Sequence, residues 1–396
     1  MRRFIIPVAV TATAMLFTAA CGSDSGSGSS SSGGSGGTLT VAFPVPLTSG
    51  NKASADQMVN TAKLAVKKIN SSGGAGGRQL ALKVYDDKLT ADESAKIAQR
   101  AITQDEAEVI MGGYTSIEGL AIREVTERRK VVYLATSTVS PQLTKDATYT
   151  FRVAHDQGDY PIQMAALYKK LGFTKPVVVH DDGPSGSTLF GPVNEALKSA
   201  GMAPGSPVQF ALNATDVSSA AAEVKKQAPD SIVHLGSSSA DAGLMIKTLS
   251  EQGVNVPVIG FGSVIAKEAR TIGGAAYTRT PVYTLINTQP SKPQYQDFVT
   301  QYAAEYGGTA SELTGALVEQ TVQTWDGFEL LRQALDVTKG KTDGESLRTA
   351  LKGLKPFEGA AGKAGGQVTF ASSQNAYKEE LVAFKANGST LVAVEA

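Results

Sequence analysis

The chain has 396 residues, 42% of them hydrophobic, with 37 basic and 37 acidic residues, three histidines and one cysteine. No basic stripe or aromatic-interleaved Lys/Arg cluster suggests nucleic acid. The lone cysteine excludes an internal disulfide, and unclustered histidines give no transition-metal site, so no cofactor is expected. Nothing after residue 21 is apolar for long enough to span a bilayer.

Met1 to Cys21 opens with Arg2 and Arg3, runs apolar from Phe4 to Phe17, and places Ala19 and Ala20 before Cys21. That is the pattern of a secretory signal peptide over residues 1–20, too short and wrongly flanked for a membrane helix. The position of Cys21 resembles a lipoprotein processing site, with Thr18 standing where leucine is usual. The resemblance implies a lipidated Cys21 as the mature N-terminus, anchored to the outer face of the cell membrane. The alternative is an ordinary cleaved signal beside an incidental free cysteine. Gly22 to Gly37 is almost entirely Gly and Ser; with Cys21 it reads as a flexible tether over residues 21–37, with a reach on the order of 20 Å.

From residue 38 onward about 359 residues remain, which suits two lobes better than one ordinary domain. Leu39 to Val45 reads as a strand and Thr48 to Lys52 as a polar loop. In the next helix Val59, Ala62, Ala65, Val66 and Ile69 share one face, opposite Lys63, Lys67 and Lys68. Asn70 to Gly74 ends it and Leu80 to Asp87 returns as a strand. Ligands of open α/β sheets bind outside the carboxyl ends of parallel strands, which makes the Thr48–Lys52 loop a candidate contact. Thr90 and Glu93 form a capping box for a helix to about Gln104. Strand 109–111, helix 116–128 and strand 131–134 follow. A second series starts near Gln157, with strands at 176–180, 208–210, 231–235 and 256–260 separated by helices at 188–200, 216–227 and 240–252. Two successive βα series predict two mainly parallel sheets with helices on both faces. The last third breaks the alternation: strand 282–286, helices 293–306 and 312–337, then strands 367–370 and 381–384. Trp325, on the longest helix, is either a ligand platform or a core residue.

The run AVKKINSSGGAGGRQLALKVYDD, followed by TADESAKIAQRAI, resembles the leucine/isoleucine/valine-binding family of type I periplasmic solute-binding proteins. VIMGGYTSIEGLA, YLATSTVSPQLT, VVVHDDGPSG and DSIVHLGSSSADAGLMIKTLSEQGVNVPVIGFGS follow in the family's order. The resemblance covers about Leu39 to Glu395. It implies a fold of two Rossmann-like lobes joined by a three-segment hinge, crossed near Arg152-Val153, Tyr283-Thr284 and Glu358–Gly366. The lobes are then residues 38–153 plus 284–362 and 154–283 plus 363–396. It also implies an extracytoplasmic, monomeric receptor that closes on a small solute and delivers it to an ABC permease.

Tyr114-Thr115-Ser116 begins a helix just past a strand, where free N–H groups and hydroxyls suit a carboxylate; the plainer reading is a helix cap. By resemblance, the family's carboxylate-binding serine falls in this loop. Its backbone amide and hydroxyl sites fall at Ser137 and Val139, with Thr138 as the hydroxyl substitute. The second lobe departs from the family. Its two cleft tyrosines align with Ser185 and Ser238, its ammonium-binding glutamate falls at Gly262, and an aromatic is missing near Ala55. A buried ammonium without a carboxylate costs about 2–5 kcal/mol, so the ligand is either an amino acid held by Asp182, Asp241 or Asp156, or an amide or organic acid without the amine. Asp182 also reads as a solvated turn residue. The expected ligand set is Tyr114, Ser116, Ser137, Thr138, Asp182, Ser185, Ser238 and Ser263. Two other readings stand beside transport. One is a ligand-sensing module for a signalling receptor. The other is a serine hydrolase on Gly183-Pro184-Ser185-Gly186-Ser187, which lacks the final glycine of a nucleophile elbow and has only His234 after the serine; the chain reads as no enzyme.

Overall fold

The computed structural model describes residues 36–313, 317–377, 381–388 and 390–394. Cys21, the leader and the tether up to residue 35 lie outside them. Among the described residues no helix is long and apolar enough to cross a membrane.

The first lobe begins with β1 (Thr38–Val45), α1 (Lys52–Ser71), β2 (Gln79–Asp86), α2 (Ala91–Thr103), β3 (Val109–Gly112), α3 (Ser116–Arg129), β4 (Val132–Ala135) and β5 (Thr150–Arg152). Its strands form one parallel sheet in the order β2-β1-β3-β4-β5. The apolar stripe of α1 buries Val59, Ala62, Ala65, Val66 and Ile69, as its spacing requires. The helix is stopped by Gly73 and Gly74 at φ +99° and +88°; a Cβ on Gly74 would fall 2.1 Å from the Arg78 carbonyl oxygen. Thr90 caps α2 by accepting the Glu93 N–H.

The chain then crosses to α4 (Tyr160–Lys170), β6 (Pro176–Asp181), α5 (Pro184–Ser199), β7 (Val208–Phe210), α6 (Ser218–Lys226), β8 (Ser231–Leu235), α7 (Ser239–Glu251), β9 (Val258–Gly260), α8 (Lys267–Gly273), α9 (Ala276–Arg279) and β10 (Val282–Ile286). It returns to the first lobe with α10 (Pro293–Tyr306), α11 (Ala310–Leu313), α12 (Glu319–Thr338) and α13 (Gly344–Gly353), and ends on the second with β11 (Val382–Asn387) and β12 (Thr390–Ala393). The second sheet runs β12-β11-β10-β9-β8-β6-β7, with β11 and β12 antiparallel. Each sheet carries an apolar cluster on both faces, so the fold is α/β with two mainly parallel, helix-covered sheets.

Four expectations change. Thr284 to Ile286 stay paired with β9 and β11, so the second crossing lies after Ile286 rather than at Tyr283-Thr284. Residues 367–370 form one bridge, Phe357 with Val368, and no strand. Val368, Phe370, Ala376 and Tyr377 pack in the first lobe's core, whereas Leu381 packs in the second's, so the third crossing falls after Tyr377, not at Glu358–Gly366. Burying an apolar side chain contributes about 1.5–3 kcal/mol, so Val368 and Phe370 hold this segment on the first lobe. The helix expected over 312–337 is two helices, and α12 starts at Glu319.

Candidate functional site

The carboxyl ends of both sheets face each other, and the loops that leave them meet at a cavity of about 30 Å³. Tyr114, Thr115 and Ser116 after β3, and Ser137 and Val139 after β4, line it from the first lobe. Ser237 after β8 and Phe261, Gly262 and Ser263 after β9 line it from the second. His155 and Gln157 enter from the first crossing and Glu319, Gln320 and Gln323 from the start of α12.

Local bonding fixes these loops. Thr115 is the N-cap of α3, in a capping box with Glu118, so the cap and the cavity wall are one structure. Ser116 is the first residue of α3, where N–H groups lie outside the intrahelical ladder and favour an anion. The Ser116 hydroxyl accepts the Ser140 N–H at 3.2 Å, and the Ser137 hydroxyl donates to the Tyr114 carbonyl. Behind this loop the fully buried Arg152 guanidinium donates to the carbonyls of Val139 and Ser140 at 2.8 and 2.9 Å and pairs with Asp156 at 3.1 Å. Across the cavity, the Ser263 hydroxyl donates to Gly236 at 2.6 Å and joins the loops after β8 and β9.

Among the described lining residues Glu319 is the one carboxylate, and it is 7% exposed. Its Oε1 accepts the Asn287 backbone N–H at 2.7 Å and the Gln323 amide at 3.2 Å. His155 Nδ1 lies 2.9 Å from the same oxygen. Glu319 thus touches both the first crossing and, through Asn287, the second. It also fills the space beside Gly262: a Cβ there would sit 3.5 Å from Glu319 Oε2 and 3.7 Å from Glu319 Cβ.

Of the expected ligand set, Tyr114, Ser116, Ser137 and Ser263 come together on the cavity wall. Four do not. Thr138 packs on α3, where a Cβ on Gly119 would fall 1.8 Å from its Oγ1. Asp182 is exposed and accepts the Leu212 N–H at 2.8 Å. Ser185 is one residue removed from the cavity, donating to Gln157 Oε1 at 2.5 Å, with no imidazole in that bond. Ser238 caps α7 by accepting the Asp241 N–H at 3.2 Å. The other two carboxylates considered for an ammonium are held elsewhere. Asp241 accepts the Asn213 N–H at 2.8 Å and burial pushes it up to about 7, while Asp156 pairs with Arg152. The remaining histidines are packed: His180 stacks on Phe190 at 4.2 Å, and burial lowers His234 to about 4. Asp182→Asn is therefore expected to leave solute affinity within about twofold, checked by calorimetry, since exposed polar changes seldom exceed ~0.5 kcal/mol.

The residues match the periplasmic binding protein family over 38–387, nearly the whole described chain. The chain belongs to that family. It is 23% identical over 359 residues to the Leu/Ile/Val-binding protein BraC3 of Rhizobium johnstonii, covering 90% of this chain and 94% of the relative. It is 25% identical to Leu/Ile/Val-binding protein homolog 3 of Brucella melitensis, covering 82% and 86%. Among solved structures, the leucine-binding protein LivK of Thermotoga maritima superposes with a TM-score of 0.78 at 21% identity, covering 90% and 98%. A solute-binding protein of Rhodopseudomonas palustris in complex with benzoate gives 0.79 at 18%, covering 90% and 95%. Both likenesses establish the fold. The relatives' names span amino acids and an aromatic acid, so the choice of solute rests on the cavity walls.

Outside the cavity the lobes touch directly. Asn51 Nδ2 donates to Ser238 Oγ at 3.2 Å, and the Ala240 N–H donates to Asn51 Oδ1 at 3.1 Å. Tyr114 and Ser239 hydroxyls are 3.0 Å apart. The Ser54 N–H donates to Glu268 Oε1 at 2.6 Å, and its hydroxyl donates to the other carboxylate oxygen. The structure is a closed form. A second, larger cavity of about 230 Å³ lies within the first lobe between α1, α10 and α12, lined by Trp325 and Phe357. Trp325 there packs on Phe298 at 5.3 Å under Lys68 at 4.8 Å, and the neighbouring Asp326 carboxylate is taken up by the Ala360 and Ala361 N–H groups and the Tyr377 hydroxyl. Its described lining residues include no strand end and no loop from the other lobe.

Proposed function

We propose that the chain is the extracytoplasmic solute-binding component of an ABC importer, that it closes on a small amino acid, and that it hands this solute to a permease. The supporting observation is the placement of Glu319. The carboxylate absent at position 262 is resupplied from α12, beside Gly262 and in the cavity that the α3 N-terminus at Ser116 also lines. One group favours an anion and the other a cation, which is the charge pattern of a zwitterion. Val139, Phe261 and Tyr114 supply the apolar remainder, and because about 30 Å³ has room for about two waters, the lobes must sit further apart around a bound amino acid than they do here. Binding ties the lobes together because each supplies part of the contacts, so the solute stabilises the closed form over the open one. The Arg2-Arg3 leader and Cys21 support anchoring by a lipidated cysteine, with the Gly/Ser tether as spacer.

A calorimetric panel of leucine, leucinamide and isocaproate separates the alternatives. The expected result is that leucine binds and isocaproate, the same skeleton without the amine, does not. Binding of isocaproate alone overturns the amino-acid reading. The protein should also melt higher with leucine, by about 2.7 kcal/mol of added stability at a hundredfold excess over Kd.

A further inference from the structure

His155 is only 5% exposed, faces the cavity, and has no aligned hydrogen-bond partner at either ring nitrogen among the described residues. Its Nδ1 is within ion-pair distance of Glu319 Oε1, yet an N–H on that nitrogen does not point along the 2.9 Å vector. Leaving a buried polar group unpartnered costs about 1–3 kcal/mol, which a core histidine avoids by bonding, as His180 does through Nδ1 to the Asp181 carbonyl. The other charged and titratable groups around His155 are accounted for. Tyr160, whose ring lies 5.3 Å away, donates its hydroxyl to the Leu285 carbonyl at 2.6 Å, and burial holds its pKa well above the ordinary value. Arg152 and Asp156, on the same crossing, are paired with each other. Among the described residues the imidazole therefore has one ion-pair partner, the carboxylate that also lines the cavity.

Resting on the amino-acid reading, we propose that Glu319 is shared between the proton of His155 and the cationic group of the solute, so that binding an amine-bearing solute expels a proton from His155. A buried carboxylate balances one positive charge. Two cations on one side of it, imidazolium and ammonium, repel in a poorly solvated cavity. Histidine is the side chain whose charge changes near neutral pH, so the competition is set by ordinary changes in acidity. The sign follows from linkage. The free form binds the proton better than the loaded form, so affinity rises with pH through the histidine range and levels off above it, by up to about tenfold per pH unit. The receptor would hold its solute less tightly in acid surroundings, and it would discriminate against analogues without an amine most strongly at high pH, where Glu319 stands unneutralised.

The test is calorimetry of the full protein with leucine at about pH 5.5 and about pH 8, in buffers of different ionisation enthalpy, which counts the protons released. The expected result is proton release on binding leucine at about pH 5.5 and little at about pH 8, a weaker affinity at the lower pH, and loss of the proton release in His155→Gln. Leucine binding without proton release, or with equal release in His155→Gln, overturns the inference and leaves the amino-acid reading intact. Isocaproate binding in place of leucine overturns both. A second arm needs no solute. With only three histidines in the chain, NMR follows each titration, and the midpoint of His155 is expected to fall in Glu319→Gln; an unmoved midpoint overturns the inference whatever solute the cavity takes.

Discussion

Glu319→Gln is expected to weaken leucine binding by at least about thirtyfold, because an ammonium buried without its carboxylate loses about 2–5 kcal/mol. The substitution isolates charge. Glutamine keeps an oxygen to accept the Asn287 N–H and is nearly isosteric, so the tie between α12 and the second crossing persists and thermal stability should change little. Glu319 opens α12, where a negative side chain is worth about 0.3–1 kcal/mol against the helix dipole. That bounds the folding cost well below the binding cost. A relocation of charge makes the result specific. Gly262 does not need a positive φ; Glu319→Ala removes the carboxylate oxygen 3.5 Å from a Cβ built there, and Ile286 Cγ2 at 3.3 Å has to give by a few tenths of an ångström. Gly262→Glu combined with Glu319→Ala is expected to recover most of the lost affinity by returning a carboxylate to the same wall. Calorimetry with leucine checks both. Equal affinity in Glu319→Gln and wild type would remove Glu319 from the site.

Much of this was legible in the residues, and the failures have physical causes. The sheets follow from short apolar runs bounded by Gly, Pro and Asn, and α1 and α2 from their apolar spacing and caps, because those signals are local. A loop at a strand end pointed to Tyr114 and Ser116 by the same reasoning, and the family resemblance to the loops of Ser137 and Ser263; all four line the cavity. Glu319 was missed because its role is long-range. In a helix running from 312 it is an ordinary mid-helix acid; once α12 begins at 319 it sits at a helix start against both crossings. No local sign sets it apart, since Asp326, Glu329 and Asp336 are acids on the same helix. His155 was missed because its contact with Glu319 spans two separate passes through the hinge. The third crossing was misplaced because VTF in Val368–Phe370 reads as a strand by composition, while its side chains settle into the first lobe's core.

Glu268→Ala is expected to shift the ligand-free protein toward an open form and to weaken solute binding by about tenfold to a hundredfold, although Glu268 does not itself line the cavity. The reasoning starts from the polar loop Thr48–Lys52, which was expected to contact the solute. Instead, Asn51 spends its side chain on Ser238 and Ala240 of the second lobe and makes no cap bond to its own helix. The first turn of α1 is capped from across the cleft, by the Glu268 carboxylate on Ser54. Hydrogen bonds to a charged group contribute about 1.5–3 kcal/mol each, and desolvating the carboxylate, 7% exposed in the closed form, offsets part of that. A net loss of about 1.4–2.8 kcal/mol lowers the closed population, and apparent affinity falls with the competent fraction. Small-angle scattering of the ligand-free protein should show a larger radius, and calorimetry a weaker Kd; no change in either would make the clasp a passive contact. The acidity dependence separates this clasp from His155. Burial holds the Glu268 carboxyl above its ordinary range, so closing takes up protons there, and that part of the closing free energy is present at low pH and lost as pH rises. His155 acts with the opposite sign, so removing Glu268 should steepen the rise of affinity with pH, whereas removing His155 should flatten it.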